Sequence, residues 1–269
     1  METIKSRKIT VPDILSFKHH KKITALTVYD YSFAKLFDAQ DIDVLLVGDS
    51  VANVIQGYPT TLPVTLDEII YHTKAVCRAV RHSLVVADLP FMSYQVSPIQ
   101  AVESAGRIIK ESGAQAVKLE GGLALAETIA KLTSFDIPVM AHVGLTPQSV
   151  HRMGGHKIQG KTGIGKRSAE LIMEDAIAVA RAGAFAVVLE GIPEELARQI
   201  TLEINIPTIG IGAGRFCDGQ IAVMHDLLGI SQKPPSFAKV YTKLSEQINL
   251  AVNEYIKDVR HDEINLGVN

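Results

Sequence analysis

The sequence predicts an α/β fold, a (β/α)8 barrel, on three observations. Eight short apolar runs are spaced along the 269 residues, and helical patterns lie between most of them. Most of these runs are apolar continuously rather than alternately, as strands of a parallel sheet covered on both faces should be. Finally, ESGAQAVKLEGG (111–122) and RAGAFAVVLEGI (181–192) match at seven of twelve positions, so two βα units are built alike. The expected organisation is one barrel domain over residues 1–269 with an N-terminal extension and a C-terminal helix. A doubly wound sheet is the alternative.

In chain order, ITALTV (23–28) and DVLLVG (43–48) are the first two expected strands. Thr65 with Glu68 has the capping-box form ahead of the helical IIYHTKAVCRAV, and LVVA (84–87) follows as the third strand. Ser97, Pro98 and Gln100 open the helix AVESAGRIIKES, which Gly113 closes before the strand AVKL (116–119). IPVMAH (137–142) leads into a connection over 143–167 that holds six glycines, the composition of a lid over a barrel mouth. Gly183 ends a further helix before AVVL (186–189), and Pro193 starts PEELARQITLEI. IPTIGI (206–211) and IAVM (221–224) complete the eight strands, and SEQINLAVNEYIKDVR supplies the last helix.

Within the long connection, Gly155, Gly160, Lys161 and Thr162 satisfy the spacing of a phosphate-binding loop. That motif needs a strand entering and a helix leaving. LTPQSVHRMG before Gly155 is not strand-like, and Gly163 and Gly165 disfavour a helix just after Thr162, so the reading is rejected.

Composition excludes several functions. Lys plus Arg is 27 and Asp plus Glu is 29, a net charge of −2, so no overall field recruits nucleic acid or an anionic membrane. Trp is absent and aromatics are 6%, which leaves no stacking platform for single-stranded nucleic acid. KHHKK (18–22) reads as a solvated loop without function. METIKSRKITVPDILSF has no uninterrupted apolar stretch and no later segment is long enough to span a membrane, so a cytoplasmic location is expected. Cys77 and Cys217 suggest neither a disulfide scaffold nor a metal cluster.

Polar residues gather after the apolar runs: Asp49 and Ser50, Asp88, Glu120, His142, Glu190, and His225 with Asp226. In a parallel barrel those strand ends form one mouth, where active sites of this fold are built. Asp49, Asp88 and Glu120 come from successive strands and would repel one another unless a cation lay between them. An oxygen donor set without cysteine favours a hard ion, Mg2+ over zinc. Lys118 shares a strand face with Glu120; either it pairs with an acid or it contacts a substrate carboxylate or keto oxygen. His142 is expected as a hydrogen-bond partner rather than a metal ligand. Glu190, across the mouth, is placed for a base.

These residues resemble a known family, ketopantoate hydroxymethyltransferase, through TALTVYDYSFAKLFD, LLVGDS, TLPVTLDEI, YHTKAV, VVADLPFMSY, AVKLEGG, HVGLTPQSV, GGHKIQGKTG, VVLEGIP, IPTIGIGAG and DGQIAVMHDLLG, over about residues 24–230. The resemblance implies a (β/α)8 barrel, with Asp49, Asp88 and Glu120 as Mg2+-site acids. It also implies Ser50, Lys118 and His142, with Asp49 and Asp88, as substrate contacts, and Glu190 as the proton acceptor. His156 departs from the family, which often carries tyrosine there. The implied reaction moves the one-carbon unit of 5,10-methylenetetrahydrofolate to the small 2-oxo acid 3-methyl-2-oxobutanoate, giving 2-dehydropantoate for pantothenate and coenzyme A. The implied assembly is a homo-oligomer, a homodecamer by family resemblance. A Mg2+-dependent lyase or aldolase and a noncatalytic oxo-acid sensor are the alternatives.

Overall fold

The computed structural model describes residues 7–163 and 165–261. Eight parallel strands close on themselves: β1 Ile23–Thr27, β2 Val44–Val47, β3 Leu84–Asp88, β4 Ala116–Glu120, β5 Val139–Gly144, β6 Ala186–Glu190, β7 Thr208–Ile211 and β8 Gly219–Ala222. The ring shuts where β8 pairs with β1, Ala25 opposite Ile221. The doubly wound alternative is thereby excluded, because an open sheet has two edge strands and this one has none.

The period-two rule explains the interior. Ala25 of β1, Val44 and Leu46 of β2, Leu84 and Val86 of β3, Met140 of β5 and Val188 of β6 belong to one buried cluster. Ile9 and Ile14 join it from the N-terminal segment and from α1 (Val11–Ser16). Each of the larger of these side chains, fully buried, contributes about 1.5–3 kcal/mol. Following the same face two residues further along β3, β4, β5 and β6 brings Asp88, Lys118 and Glu120, His142, and Glu190. Apolar layers therefore give way to a charged one at the strands' carboxyl ends.

The outer helices start where the local chemistry places them. α2 (Tyr31–Asp38) is capped by Asp30, whose carboxylate accepts from the backbone N–H groups of Ser32 and Phe33. α4 (Leu66–Ala79), which follows the single turn α3 (Val51–Val54), has its capping box closed: Thr65 Oγ1 accepts from Glu68 N at 3.3 Å, and Glu68 Oε2 accepts from Thr65 N at 2.7 Å. α5 (Pro98–Ser112) is capped by Ser97 and ends at Gly113, φ 85°. α6 (Ala126–Thr133) follows β4. α7 (Val150–Met153), not a strand, precedes Gly155, and α8 (Ala169–Arg181) begins well after Thr162. Among the described residues, the strand–loop–helix context of a phosphate-binding loop is absent there. Close approach accounts for two glycines of that connection: a Cβ at Gly165 would lie 2.4 Å from Met153 O, and one at Gly160 2.8 Å from Leu196. α9 (Glu194–Glu203) follows Pro193.

Two expectations are corrected. The eighth strand lies at 219–222 rather than 221–224, and His225 and Asp226 sit in the short helix α10 (Met224–Leu227) instead of following a strand. Nor is the KHHKK segment simply solvated: Lys18 Nζ lies 3.1 Å from buried Asp218, and Lys21 Nζ pairs with buried Asp43 at 2.5 Å. The chain divides into two compact units, residues 1–222 with the barrel and residues 223–269 with α10 and α11 (Leu244–Arg260). Both cysteines are free, and burial pushes the Cys77 thiol up to about 11 and raises that of Cys217. No helix of the described residues is long and apolar enough to cross a membrane.

Candidate active site

Strand register assembles the site. Asp88 lies opposite Lys118, Glu120 opposite His142, and Gly144 opposite Glu190, so residues from four consecutive strands meet side by side. Gly144 has φ 95°, and a Cβ there would sit 2.4 Å from Glu190 O; glycine lets β5 and β6 close at the level of the acids. Asp49 and Ser50 follow β2 and enter α3. Asp49 N donates to Asp88 Oδ2 at 2.9 Å, which locks the β2 end to the β3 end.

Asp49, Asp88, Lys118, Glu120 and His142 are all buried, and Glu190 is partly exposed. Lys118 Nζ lies 2.9 Å from Asp88 Oδ1. That oxygen has no well-directed hydrogen bond, so the contact is an ion pair of poor hydrogen-bond geometry. Burial opposes the lysine's charge, but Asp88, Glu120 and Asp49 outweigh it and hold Lys118 above its ordinary value. Its salt bridge to Asp88 makes the first reading of Lys118 a fact, and the charge remains at the mouth for the second.

The acids behave as a repelling set. Burial and then the Asp88 charge push Asp49 up to about 7 from its ordinary 3.8. Burial and then Asp49 raise Glu120 well above its usual range. His142 stands between the two glutamates, Nδ1 3.6 Å from Glu120 Oε1 and Nε2 3.2 Å from Glu190 Oε2. Burial holds its pKa below 6.5 despite the Glu190 contact, so the imidazole is neutral near pH 7.

Three further residues complete the arrangement. Gln148, in the turn after β5, donates from Nε2 to Asp49 Oδ2 at 2.9 Å and to Leu89 O at 3.1 Å. Its backbone N–H donates to Glu120 Oε2 at 2.9 Å. Tyr94 donates its hydroxyl to Gln148 Oε1 at 2.7 Å, which fixes the amide with its NH2 group toward Asp49. Tyr29 links Thr27 and Ser50, its hydroxyl 2.9 Å and 2.8 Å from their oxygens. The sequence offered little signal for these residues: Gln148 follows the end of β5 in LTPQS, and Tyr94 lies in the mostly apolar LPFMSYQ after β3. Neither residue type by itself marks a site.

Asp49, Asp88 and Glu120 fit Mg2+ by their chemistry: hard oxygen donors, all buried, with Asp49 and Glu120 opposed in their ionisation by burial and a neighbouring acid. Among the described residues no three His, Cys, Asp or Glu side chains form a ready ligand cage.

A family model described as ketopantoate hydroxymethyltransferase matches residues 8–264. A curated relative from Pelobacter propionicus named 3-methyl-2-oxobutanoate hydroxymethyltransferase is 55% identical over 256 residues, 94% of each chain. One of the same name from Rippkaea orientalis is 56% identical over 257 residues, covering 95% of this chain and 98% of its own. Among solved structures, the chain is similar to phosphonopyruvate hydrolase in complex with oxalate and Mg2+, with a TM-score of 0.62 at 12% identity, covering 97% of this chain and 92% of that one. It is also similar to 2,3-dimethylmalate lyase, a member of the PEP mutase/isocitrate lyase superfamily, with a TM-score of 0.57 at 16% identity, covering 96% and 91%. At those identities the structural likeness speaks for the barrel alone.

Proposed function

The chain belongs to the ketopantoate hydroxymethyltransferase family, and from that premise we propose that it transfers the one-carbon unit of 5,10-methylenetetrahydrofolate to 3-methyl-2-oxobutanoate, forming 2-dehydropantoate. The observation that carries the reading is the buried constellation at the mouth: three mutually repelling acids, Lys118 charged beside Asp88, and His142 3.2 Å from Glu190.

Asp49, Asp88 and Glu120 would hold Mg2+, which when bound supplies a Lewis acid toward the oxo acid's carboxylate and keto oxygens. Lys118 presents a fixed positive charge to the same oxygens. Its ion pair with Asp88 keeps it oriented and limits the cost of burying it. Ser50, tethered by Tyr29, offers a hydroxyl at the mouth. Glu190 takes the proton from C3, and the neutral His142, 3.2 Å away, lies beside it without adding a charge that would quench a base. The enolate carbon then bonds to the folate methylene carbon. Over the whole reaction both C–N bonds of the methylene bridge break. The hydroxyl of the new CH2OH group comes from water, and the two nitrogens of tetrahydrofolate take one proton from C3 and one from water.

The test follows the C3 proton of 3-methyl-2-oxobutanoate by NMR in D2O with Mg2+, with and without the folate donor. Exchange dependent on Mg2+, with hydroxymethylated product only when the donor is added, is the expected result. Exchange without product would favour the lyase or aldolase reading. Absence of exchange would favour the sensor. In Glu190→Gln, exchange should fall by about 100-fold or more, the usual weight of a general base. Wild-type exchange in that variant would remove Glu190 from the role.

A further inference from the structure

At the amino-terminal end of the barrel, opposite the acids, the KHHKK segment leads into β1 at Ile23 and Asp218 leads into β8 at Gly219. Between that segment, the end of α9 and the connection from β7 to β8 lies a cavity of about 510 Å3, within the range of small-molecule sites. Asp49, Asp88, Glu120 and Glu190 are not on its lining, so the hydroxymethyl transfer gives it no role.

Its walls are fixed. Buried Asp218 accepts from Thr208 N at 2.9 Å and from His19 N at 3.3 Å, which ties the basic segment to the start of β7. Lys18 Nζ donates to Thr201 O at 3.0 Å, which ties the same segment to α9. His19 takes φ 62° at this bend, a left-handed conformation that few side chains adopt. A cavity bounded in this way exists before a ligand arrives, so binding costs little ordering.

Its charge is one-sided. Among the described residues Asp218 is the one acid on the lining, and its carboxylate already faces Lys18 at 3.1 Å. Against it stand Lys21, Lys22 and Arg198, with His19 and His20. Lys21 is matched by Asp43, which lies off the lining. Lys22 Nζ donates to Cys217 O, a neutral partner that fixes the ammonium without cancelling its charge. Among the described residues Lys22 has no ion pair, and the His20 ring has neither an ion pair nor a hydrogen bond. Arg198 makes two contacts with Glu195, at 3.0 Å and 2.7 Å, but both side chains are exposed, and a pair of that kind is weak enough to be shared with an incoming anion. Phe216 and Leu202 complete the lining at 41% and 66% exposure, apolar surface set beside cations.

A phosphoryl group carries enough charge and enough acceptor oxygens to meet Lys22, Arg198 and His20 together. The apolar faces call for a carbon group attached to it. We infer that this cavity is a binding site for a phosphate monoester, its phosphoryl oxygens on Lys22, Arg198 and His20 and its organic group against Phe216 and Leu202. The ester and the oxo acid occupy opposite ends of the barrel and bind without excluding one another.

The experiment measures by calorimetry the dissociation constants of phenyl phosphate and inorganic phosphate for the unaltered chain, Lys22→Gln and Leu202→Ser. Both positions are exposed, so neither substitution threatens folding. Phenyl phosphate should bind the unaltered chain about tenfold more tightly than phosphate, because the ring covers apolar surface that the free ion leaves in water. Loss of one charge-assisted contact in Lys22→Gln should weaken both anions about tenfold. Leu202→Ser should weaken phenyl phosphate alone, which a general disturbance of the cavity would not do. Saturating Mg2+ and 3-methyl-2-oxobutanoate should leave the phenyl phosphate constant unchanged. Phenyl phosphate bound equally well by Lys22→Gln overturns the assignment, and so does its displacement by the oxo acid, which would put it at the mouth. Phosphate bound as tightly as the ester would mean a site for the free ion and overturns the assignment to an ester; absence of binding by either anion overturns it altogether.

Discussion

Asp49 is raised from 3.8 to about 7 by burial and by the neighbouring Asp88, so the folded chain keeps a proton that the unfolded chain releases. The sign follows directly: where the folded state binds more protons, stability falls as pH rises. For this group the metal-free chain loses stability between its ordinary 3.8 and about 7. Glu120 acts in the same direction, whereas His142, depressed by burial, acts in the opposite one. Asp49→Asn isolates the effect. In chelator it should melt above the parent at pH 8 and level with it near pH 4, as read by calorimetry across pH; a gap independent of pH would sink the argument. Gln148 is the other residue that single-site chemistry explains. Its NH2 group faces Asp49 and its backbone N–H faces Glu120, so it sets the separation of the two acids proposed to hold the ion. Gln148→Met should weaken Mg2+ binding by about 10- to 100-fold, the usual cost of losing a residue that orients metal-site groups, in a titration of the folded variant.

At the scale of elements, what was legible in the sequence was local. Thr65 and Glu68 announce α4 because both halves of the capping box lie within one turn, and Thr65→Ala should cost about 1 kcal/mol in urea unfolding while leaving metal affinity alone. Continuous apolar runs mark β2, and β3 and β6 up to their terminal acids, because a strand covered on both faces needs no alternation. β8 was misplaced for a definite reason: it begins with Gly219 and Gln220, which carry no apolar signature, while Val223 and Met224 carry one outside the sheet. The glycine is there because a Cβ would lie 2.5 Å from Ile23 O across the closing seam. Gly219→Ala should therefore cost about 1–3 kcal/mol by overpacking that seam, measurable in the same unfolding experiment. Gln148 was missed for the opposite reason. Its partners Glu120 and Asp49 lie 28 and 99 residues away, and no short pattern encodes such a meeting.

Across the whole barrel, one interior face runs from apolar layers to a charged layer, and the free energy of the first supports the second. Acids legible as strand-end residues became a site only when the closed ring set Asp88 beside Lys118 and Glu120 beside His142. Mutual repulsion at the mouth makes the metal-free chain less stable than its core allows, and ligands that neutralise it should return that stability by linkage. With Mg2+ and 3-methyl-2-oxobutanoate each at about 100 times its dissociation constant, one linked site adds about 2.7 kcal/mol. In a chain of this size that raises the melting temperature by roughly 5–10 °C. On the proposed reading the two ligands together should exceed the sum of their separate shifts, because each would neutralise or bind what the other leaves exposed. Glu190→Gln should keep this joint shift, since the proposed role of Glu190 is to accept a proton and not to hold either ligand. Asp88→Asn should lose most of it. A joint shift in Asp88→Asn equal to the parent's would show that the ligands stabilise the barrel from somewhere other than the acid-lined mouth.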